Sequence, residues 1–179
     1  MNSTVTPSSR YTNSAGCHLM YQTMITIAFL ADHPETIPTL ANWFRAQWSH
    51  YYADWTQAEL EQDFLEDTSR DRLPCRLVAF ENDQLVGTII LREQNNTASE
   101  FQPELGGLYV VESHRGHGVG TELVRTGMKL ADDLGYETVY ATTVSAVGIL
   151  ERLGWEFIKT VNHDDGQLAL YRCKLSVQT

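Results

Sequence analysis

Leu108-Tyr109-Val110-Val111-Glu112-Ser113-His114-Arg115-Gly116-His117-Gly118-Val119-Gly120-Thr121-Glu122-Leu123-Val124 is the stretch on which the fold turns. Its first part closes a β-like run, Leu105 to Val111. Its last part opens a helix whose apolar positions Leu123, Val124, Met128, Leu130 and Ala131 recur at helical spacing, with Gly135 as the C-cap. Between them lie three glycines and a fixed positive charge, Arg115. A helix that opens on glycine offers unpaired backbone N–H groups and the positive end of its dipole, and the main chain can be approached closely because no Cβ intervenes. That points to an anion, although a glycine-rich turn can equally be a plain connection. Two familiar phosphate motifs are excluded by spacing. There is no Gly-x-x-x-x-Gly-Lys-Ser/Thr, and the glycines run Gly-x-Gly-x-Gly where a dinucleotide fingerprint requires Gly-x-Gly-x-x-Gly near a chain-initial strand.

Upstream of this stretch, Met24 to Leu30 reads as a strand, followed by a helix over 36–51. A second helix starts at Trp55-Thr56, with Thr56 as N-cap and Glu59 three residues later, and carries Leu60, Phe64 and Leu65 as its apolar stripe. Cys75–Phe80 and Leu85–Arg92 read as a hairpin through Glu81-Asn82-Asp83-Gln84, and 95–103 as a polar loop. Downstream come a strand at Val139–Thr143, a short helix at Ala146–Leu153, and a terminal hairpin of Trp155–Val161 and Leu168–Leu175 around Asp164-Asp165-Gly166. Residues 1–23, rich in Ser, Thr and Asn, read as a flexible N-terminal extension ahead of a single domain over 24–179.

The 179 residues, 42% hydrophobic with 10% aromatic, suffice for one core and not two. With 13 Lys+Arg against 23 Asp+Glu the formal net charge is -10, which argues against a nucleic-acid partner and leaves room for a cationic one. Cys17, Cys75 and Cys173 lie far apart and form no metal or disulfide pattern, and the six histidines have no ligand-spaced partners, so no metal site is expected. Met24 to Leu30 is too short to cross a membrane. These features predict a cytoplasmic protein without a membrane partner.

Arg115-Gly116-His117-Gly118-Val119-Gly120 fits the Gln/Arg-x-x-Gly-x-Gly/Ala signature of the Gcn5-related N-acetyltransferase (GNAT) family, and strand before and helix after provide the right context. Ile149-Leu150-Glu151-Arg152-Leu153-Gly154-Trp155 resembles the family's F-Y-E-K-L-G-F segment. The resemblance covers about residues 25–175. It implies an α/β (α+β) fold: a mixed, mostly antiparallel sheet of six to seven strands with about four helices, splayed between the fourth and fifth strands. Acetyl-CoA is the implied co-substrate, with the backbones of Leu108 and Val110 bonding its pantetheine arm. Arg115, Gly116, His117, Gly118, Val119, Gly120 and Thr121 would cradle its pyrophosphate.

The implied activity is acetyl transfer to a primary amine of a small molecule or protein, by direct attack in a ternary complex and without an acyl-enzyme. Such transfer needs a neutral amine, a polarised thioester and a proton for the departing thiolate. Glu104 lies 11 residues before Arg115, the offset of the base in one branch of the family. At the acid the chain departs from the pattern: Leu150 replaces the tyrosine that many members carry, and Thr143 a frequent asparagine. Tyr140 or Tyr171 would then supply the proton, with Tyr171 the preferred candidate, or solvent would. The alternative is an acyl-CoA-binding sensor without efficient turnover. On the acceptor side Tyr51, Tyr52 and Trp55, followed by Glu59, Glu61, Asp63, Glu66 and Asp67, form a candidate amine-binding set, and at helical spacing Trp48, Tyr52 and Trp55 share a face. Family members often pair, which makes a homodimer a further expectation.

Overall fold

The computed structural model of the protein describes residues 24–93, 100–163 and 166–175. The expected N-terminal extension, most of the 95–103 loop and the Asp164-Asp165 turn lie outside the described residues.

Seven strands and four α-helices are present among the described residues. The strands are β1 (Ile25–Phe29), β2 (Cys75–Glu81), β3 (Gln84–Arg92), β4 (Glu104–Val110), β5 (Thr138–Thr143), β6 (Glu156–His163) and β7 (Gly166–Lys174). The helices are α1 (Ile37–Gln47), α2 (Gln57–Glu66), α3 (Val119–Asp133) and α4 (Val147–Arg152). The strands form one sheet in the order β1-β2-β3-β4-β5-β7-β6, antiparallel throughout except for β4 beside β5.

Alternation along the strands divides the apolar residues between two faces. Cys75, Leu77 and Ala79 of β2 join Leu91, Leu105, Val119, Leu123, Leu130, Leu150 and Trp155 in the core under α3 and α4. Val78 and Phe80 point the other way, into a core with Leu40, Phe44, Leu60 and Phe64 of α1 and α2. Close approach of α3 to the sheet depends on Gly127: a Cβ there would stand 2.5 Å from Cδ1 of Leu105.

The turn and cap signals hold, whereas Leu65, expected in the apolar stripe of α2, is exposed, and only Leu60 and Phe64 of that stripe are buried. The β2–β3 hairpin turns on Asn82 and Asp83, both with positive φ, as a two-residue turn of the twist-compatible kind requires. The capping box of α2 forms in full, with Glu59 N donating to Thr56 Oγ1 at 3.2 Å and Thr56 N to Glu59 Oε2 at 2.8 Å. The first helix is shorter than expected. It ends at Gln47, and Trp48 to Trp55 continues as tight turns in which Tyr51 N and Tyr52 N both donate to Trp48 O. The expected helical face of Trp48, Tyr52 and Trp55 is therefore not a helical one. Packing of the Trp48 and Tyr52 rings around Phe44, at centroid distances of 4.6 and 6.4 Å, competes with continuation of the helix.

Candidate active site

Parallel pairing of β4 with β5 is limited to one position, Glu104 opposite Tyr140, supported by a hydrogen bond from Tyr140 N to Pro103 O of 3.0 Å. Beyond it the strands diverge, so the β5-facing edge of β4 past Glu104 has no strand partner among the described residues. A backbone edge of this kind is the surface that an extended ligand with amide groups can complete. Leu108 and Val110 lie on the diverging part. Their side chains, with Ile149 of α4, crowd Gly120: a Cβ on Gly120 would stand 3.0 Å from Ile149 Cδ1, 3.8 Å from Val110 Cγ2 and 3.9 Å from Leu108 Cδ2. The start of α3 is thereby held against the opening between the strands.

Gly118 is the N-cap of α3, in the left-handed region at φ 89° and without a side-chain cap. The first hydrogen bond into the helix runs from Glu122 N to Gly118 O at 3.0 Å, which leaves the N–H groups of Val119, Gly120 and Thr121 without an intrahelical acceptor. No heavy atom of the described residues lies within 4 Å of where a Cβ of Gly116 or Gly118 would be. Free donors, open space and the dipole end coincide, the combination that suits a pyrophosphate. Gly116, His117 and Gly118 are exposed. Arg115 is turned elsewhere: its Nε donates to Val110 O at 2.9 Å and its guanidinium lies 5.9 Å from the Tyr109 ring centroid.

Glu104 is buried at the apex of the split. Its Oε1 accepts from Thr142 Oγ1 at 2.8 Å, and its Oε2 faces Arg92 Nη2 at 3.3 Å and Nε at 3.4 Å. Arg92 and Glu104 are cross-strand partners on β3 and β4. Neither Arg92 nor Thr142 stands out in the sequence, because only strand register brings them to Glu104. Tyr171, on β7, is buried among residues of the α3/α4 core and donates its hydroxyl to Glu151 Oε1 at 3.1 Å. Burial, then this hydrogen bond, holds its phenol above the usual tyrosine value. Leu150 is buried in the same core. Thr143, at the position of the frequent asparagine, accepts from Ala146 N at 2.8 Å and so closes the turn into α4.

On the opposite face an aromatic run leads from the surface to β4. Tyr51 is exposed and packs edge-on against Tyr52 at 4.9 Å, Tyr52 packs against Trp55 at 5.7 Å, and Trp48 and Trp43 reach Tyr109 of β4 at 6.4 and 5.0 Å. Burial, reinforced by Asp63, pushes the Tyr52 hydroxyl up to about 12. The three residues expected on the acceptor side are thus in contact, joined to β4 through Trp48 and Phe44. Also missed in the sequence was the Gly106-Gly107 pair. Two glycines inside a strand run signal a bulge, and the β3–β4 register does shift between Thr88 and Ile90, opposite Gly107 at φ 56°.

With sheet, split and helix N-terminus in view, comparison with known proteins is decisive. A model of the acetyltransferase (GNAT) family matches residues 37–155. The chain belongs to this family. Human N-acetyltransferase 8B is 31% identical over 123 residues, which is 65% of this chain and 54% of that protein. The chain spans about half the length of the curated relatives it matches. An aminoglycoside 6'-N-acetyltransferase solved with coenzyme A superposes with a TM-score of 0.69 at 18% identity, covering 86% of this chain and 99% of that one. The yncA protein of Salmonella typhimurium, solved with its cofactor acetyl-CoA, gives 0.64 at 19% identity over 85% and 94%. These likenesses show the family fold, and the parting of β4 from β5 is seen in this chain itself. None of the helices among the described residues is long and apolar enough to cross a membrane.

Proposed function

We propose that the protein is an acetyl-CoA-dependent N-acetyltransferase that moves an acetyl group to a primary amine by direct attack in a ternary complex. The observation that carries this reading is the coincidence, at one place, of an unpaired β4 edge and the free N–H groups of α3. In this reading Leu108 and Val110 bond the pantetheine arm through their backbones. The segment from Arg115 through Gly116, His117, Gly118, Val119 and Gly120 to Thr121 takes the pyrophosphate, with Arg115 swinging off Val110 O as the ligand enters. Bound acetyl-CoA supplies an activated thioester carbonyl. The amine nitrogen bonds to the acetyl carbon, the C–S bond breaks, and the proton lost by nitrogen passes to Glu104 directly or through water. The thiolate takes its proton from solvent or from Tyr171, which would first have to leave Glu151. Tyr51, Tyr52 and Trp55 receive the acceptor, a small molecule or a protein amino group. The domain spans 24–179 after an extension over 1–23, and the protein acts in the cytoplasm as a homodimer without a nucleic-acid or membrane partner.

Calorimetric titration with acetyl-CoA and desulfo-CoA, with NADH as control, tests the cofactor assignment, and release of free thiol over an amine panel tests the transfer. Binding of both CoA compounds and thiol release with an amine are expected. A second reading is favoured by one observation, the lack of a proton donor at Leu150 together with the engagement of Tyr171 by Glu151. In it the protein is an acyl-CoA-binding sensor, and CoA binding without turnover on any amine would select it.

A further inference from the structure

The acceptor-facing surface of β4 has a floor without side chains, at Gly106 and Gly107. The place of the missing Cβ on Gly106 lies 3.5 Å from Glu104 Cδ and 3.8 Å from Arg92 Nη2, and that on Gly107 lies 3.7 Å from Arg76 Nη1 and 3.6 Å from Phe44 Cζ. Two guanidinium groups and one carboxylate therefore border the floor.

Arg76 is unusual among them. It is only 4% exposed, its Nε is fixed by Asp67 Oδ2 at 2.7 Å, and its guanidinium lies over the rings of Phe64 and Phe44 at 4.4 and 5.2 Å. Yet its Nη1, the polar atom 3.7 Å from the Gly107 Cβ position, has no hydrogen-bond partner among the described residues. A buried donor left unpaired opposes folding and calls for an explanation. The ion pair and the two rings orient the group rigidly, and the free N–H faces the side-chain-free bulge. Arg92, 45% exposed and in long contact with Glu104, can turn a second fork to the same place. A guanidinium matches a carboxylate in charge and fork geometry.

We propose that the acceptor is a primary amine that also carries a carboxylate, which Arg76 and Arg92 take over the Gly106–Gly107 floor while the amine is presented to Glu104. This rests on the acetyltransferase reading above. Charge balance favours a carboxylate over a phosphate: Asp67 and Glu104 offset the two arginines, and Asp63 acts electrostatically on both. An ammonium–carboxylate zwitterion adds no net charge to such a site, whereas an ammonium carrying a phosphate dianion would leave a net negative charge.

The test compares L-leucine, L-methionine and L-phenylalanine with their carboxamides as acceptors, in thiol release at saturating acetyl-CoA. The amides have the less basic amines and the larger free-amine fraction, so any bias of the chemistry favours them. Wild type is expected to show at least about a tenfold higher kcat/KM for the acids. The preference should fall to about threefold or less in Arg76→Lys, which retains charge but not the fork. It should fall likewise in Gly106→Ala, whose Cβ meets only ordinary contacts and so keeps the fold intact if Arg76→Lys does not. Equal use of acids and amides, or a preference that survives Gly106→Ala, overturns the proposal. If no acceptor is turned over, equilibrium dialysis of labelled leucine and leucinamide against the CoA-bound protein separates the two ideas. Binding of the acid alone retains the carboxylate site while the acetyltransferase reading falls, and no selective binding removes the site as well.

Discussion

Gly118 sets the backbone conformation at the start of α3, where the proposed pyrophosphate site lies. Its left-handed conformation costs glycine nothing and an L side chain about 1–2 kcal/mol, while none of the described neighbours would clash with a Cβ. Gly118→Ala should therefore lose about that much stability in denaturant unfolding and keep CoA affinity within an order of magnitude. Gly118→Glu should lose CoA binding as well, because its charge would occupy the proposed phosphate position. Retained affinity in the glutamate variant would displace the loop from the mechanism. At Glu104, buried between Arg92 and Thr142, replacement by Gln keeps the shape and removes the proposed base. Turnover should fall by about 10²-fold or more, most steeply at low pH where more of the amine arrives protonated. An unaltered pH–rate profile would exclude Glu104 as the base. Asp63 illustrates the opposite balance: burial, then Asp67, raises its pKa despite Arg76 and Arg92. A carboxyl whose folded pKa is raised favours folding only while protonated, and that benefit is lost as pH climbs from the unfolded value through the folded one. Asp63→Asn should raise the melting temperature at neutral pH, on the order of 1 °C given its exposure, and the gain should vanish under acid conditions.

At the scale of elements, α3 is the piece that everything else positions. Its buried residues Val119, Leu123, Val124, Gly127, Leu130 and Ala131 form one stripe, and this stripe aims the helix start at the opening between β4 and β5. Gly127 sets the depth of that contact through Leu105, the residue after Glu104. Gly127→Val should overfill the interface, cost about 1–3 kcal/mol in thermal or denaturant unfolding, and weaken CoA binding by lifting α3 off the sheet. Stability loss without any change in CoA affinity would mean that helix and split are not mechanically coupled. The capping box of α2 and the β2–β3 turn were legible in advance because each depends on residues no more than three apart. The end of α1 was not, since ring packing of Trp48 and Tyr52 on Phe44 outweighs local propensity there.

In the whole molecule the sheet is interrupted at its centre: β4 and β5 share one residue pair. A ligand that bridges the two halves should stabilise the protein by mass action, about 2.7 kcal/mol at a hundredfold excess over Kd. For a chain of this size that corresponds to a rise in melting temperature of roughly 5–10 °C with acetyl-CoA. NADH should give none, and an equal shift with NADH would reject the specificity assigned to the split.

The order of strands and helices, the glycine turn and the family resemblance could all be read in the chain, because hydrophobic periodicity, caps and turn residues act over a few positions. The resemblance likewise pointed to Glu104 and to the loop from Arg115 to Thr121. The partners of those residues could not be read. Arg92 and Thr142 meet Glu104 through strand register, Arg115 folds back on Val110, and Arg76 comes to face Gly107 across a β-bulge. Such contacts depend on which strands pair and where they part, a property of the assembled sheet that no local run of residues encodes.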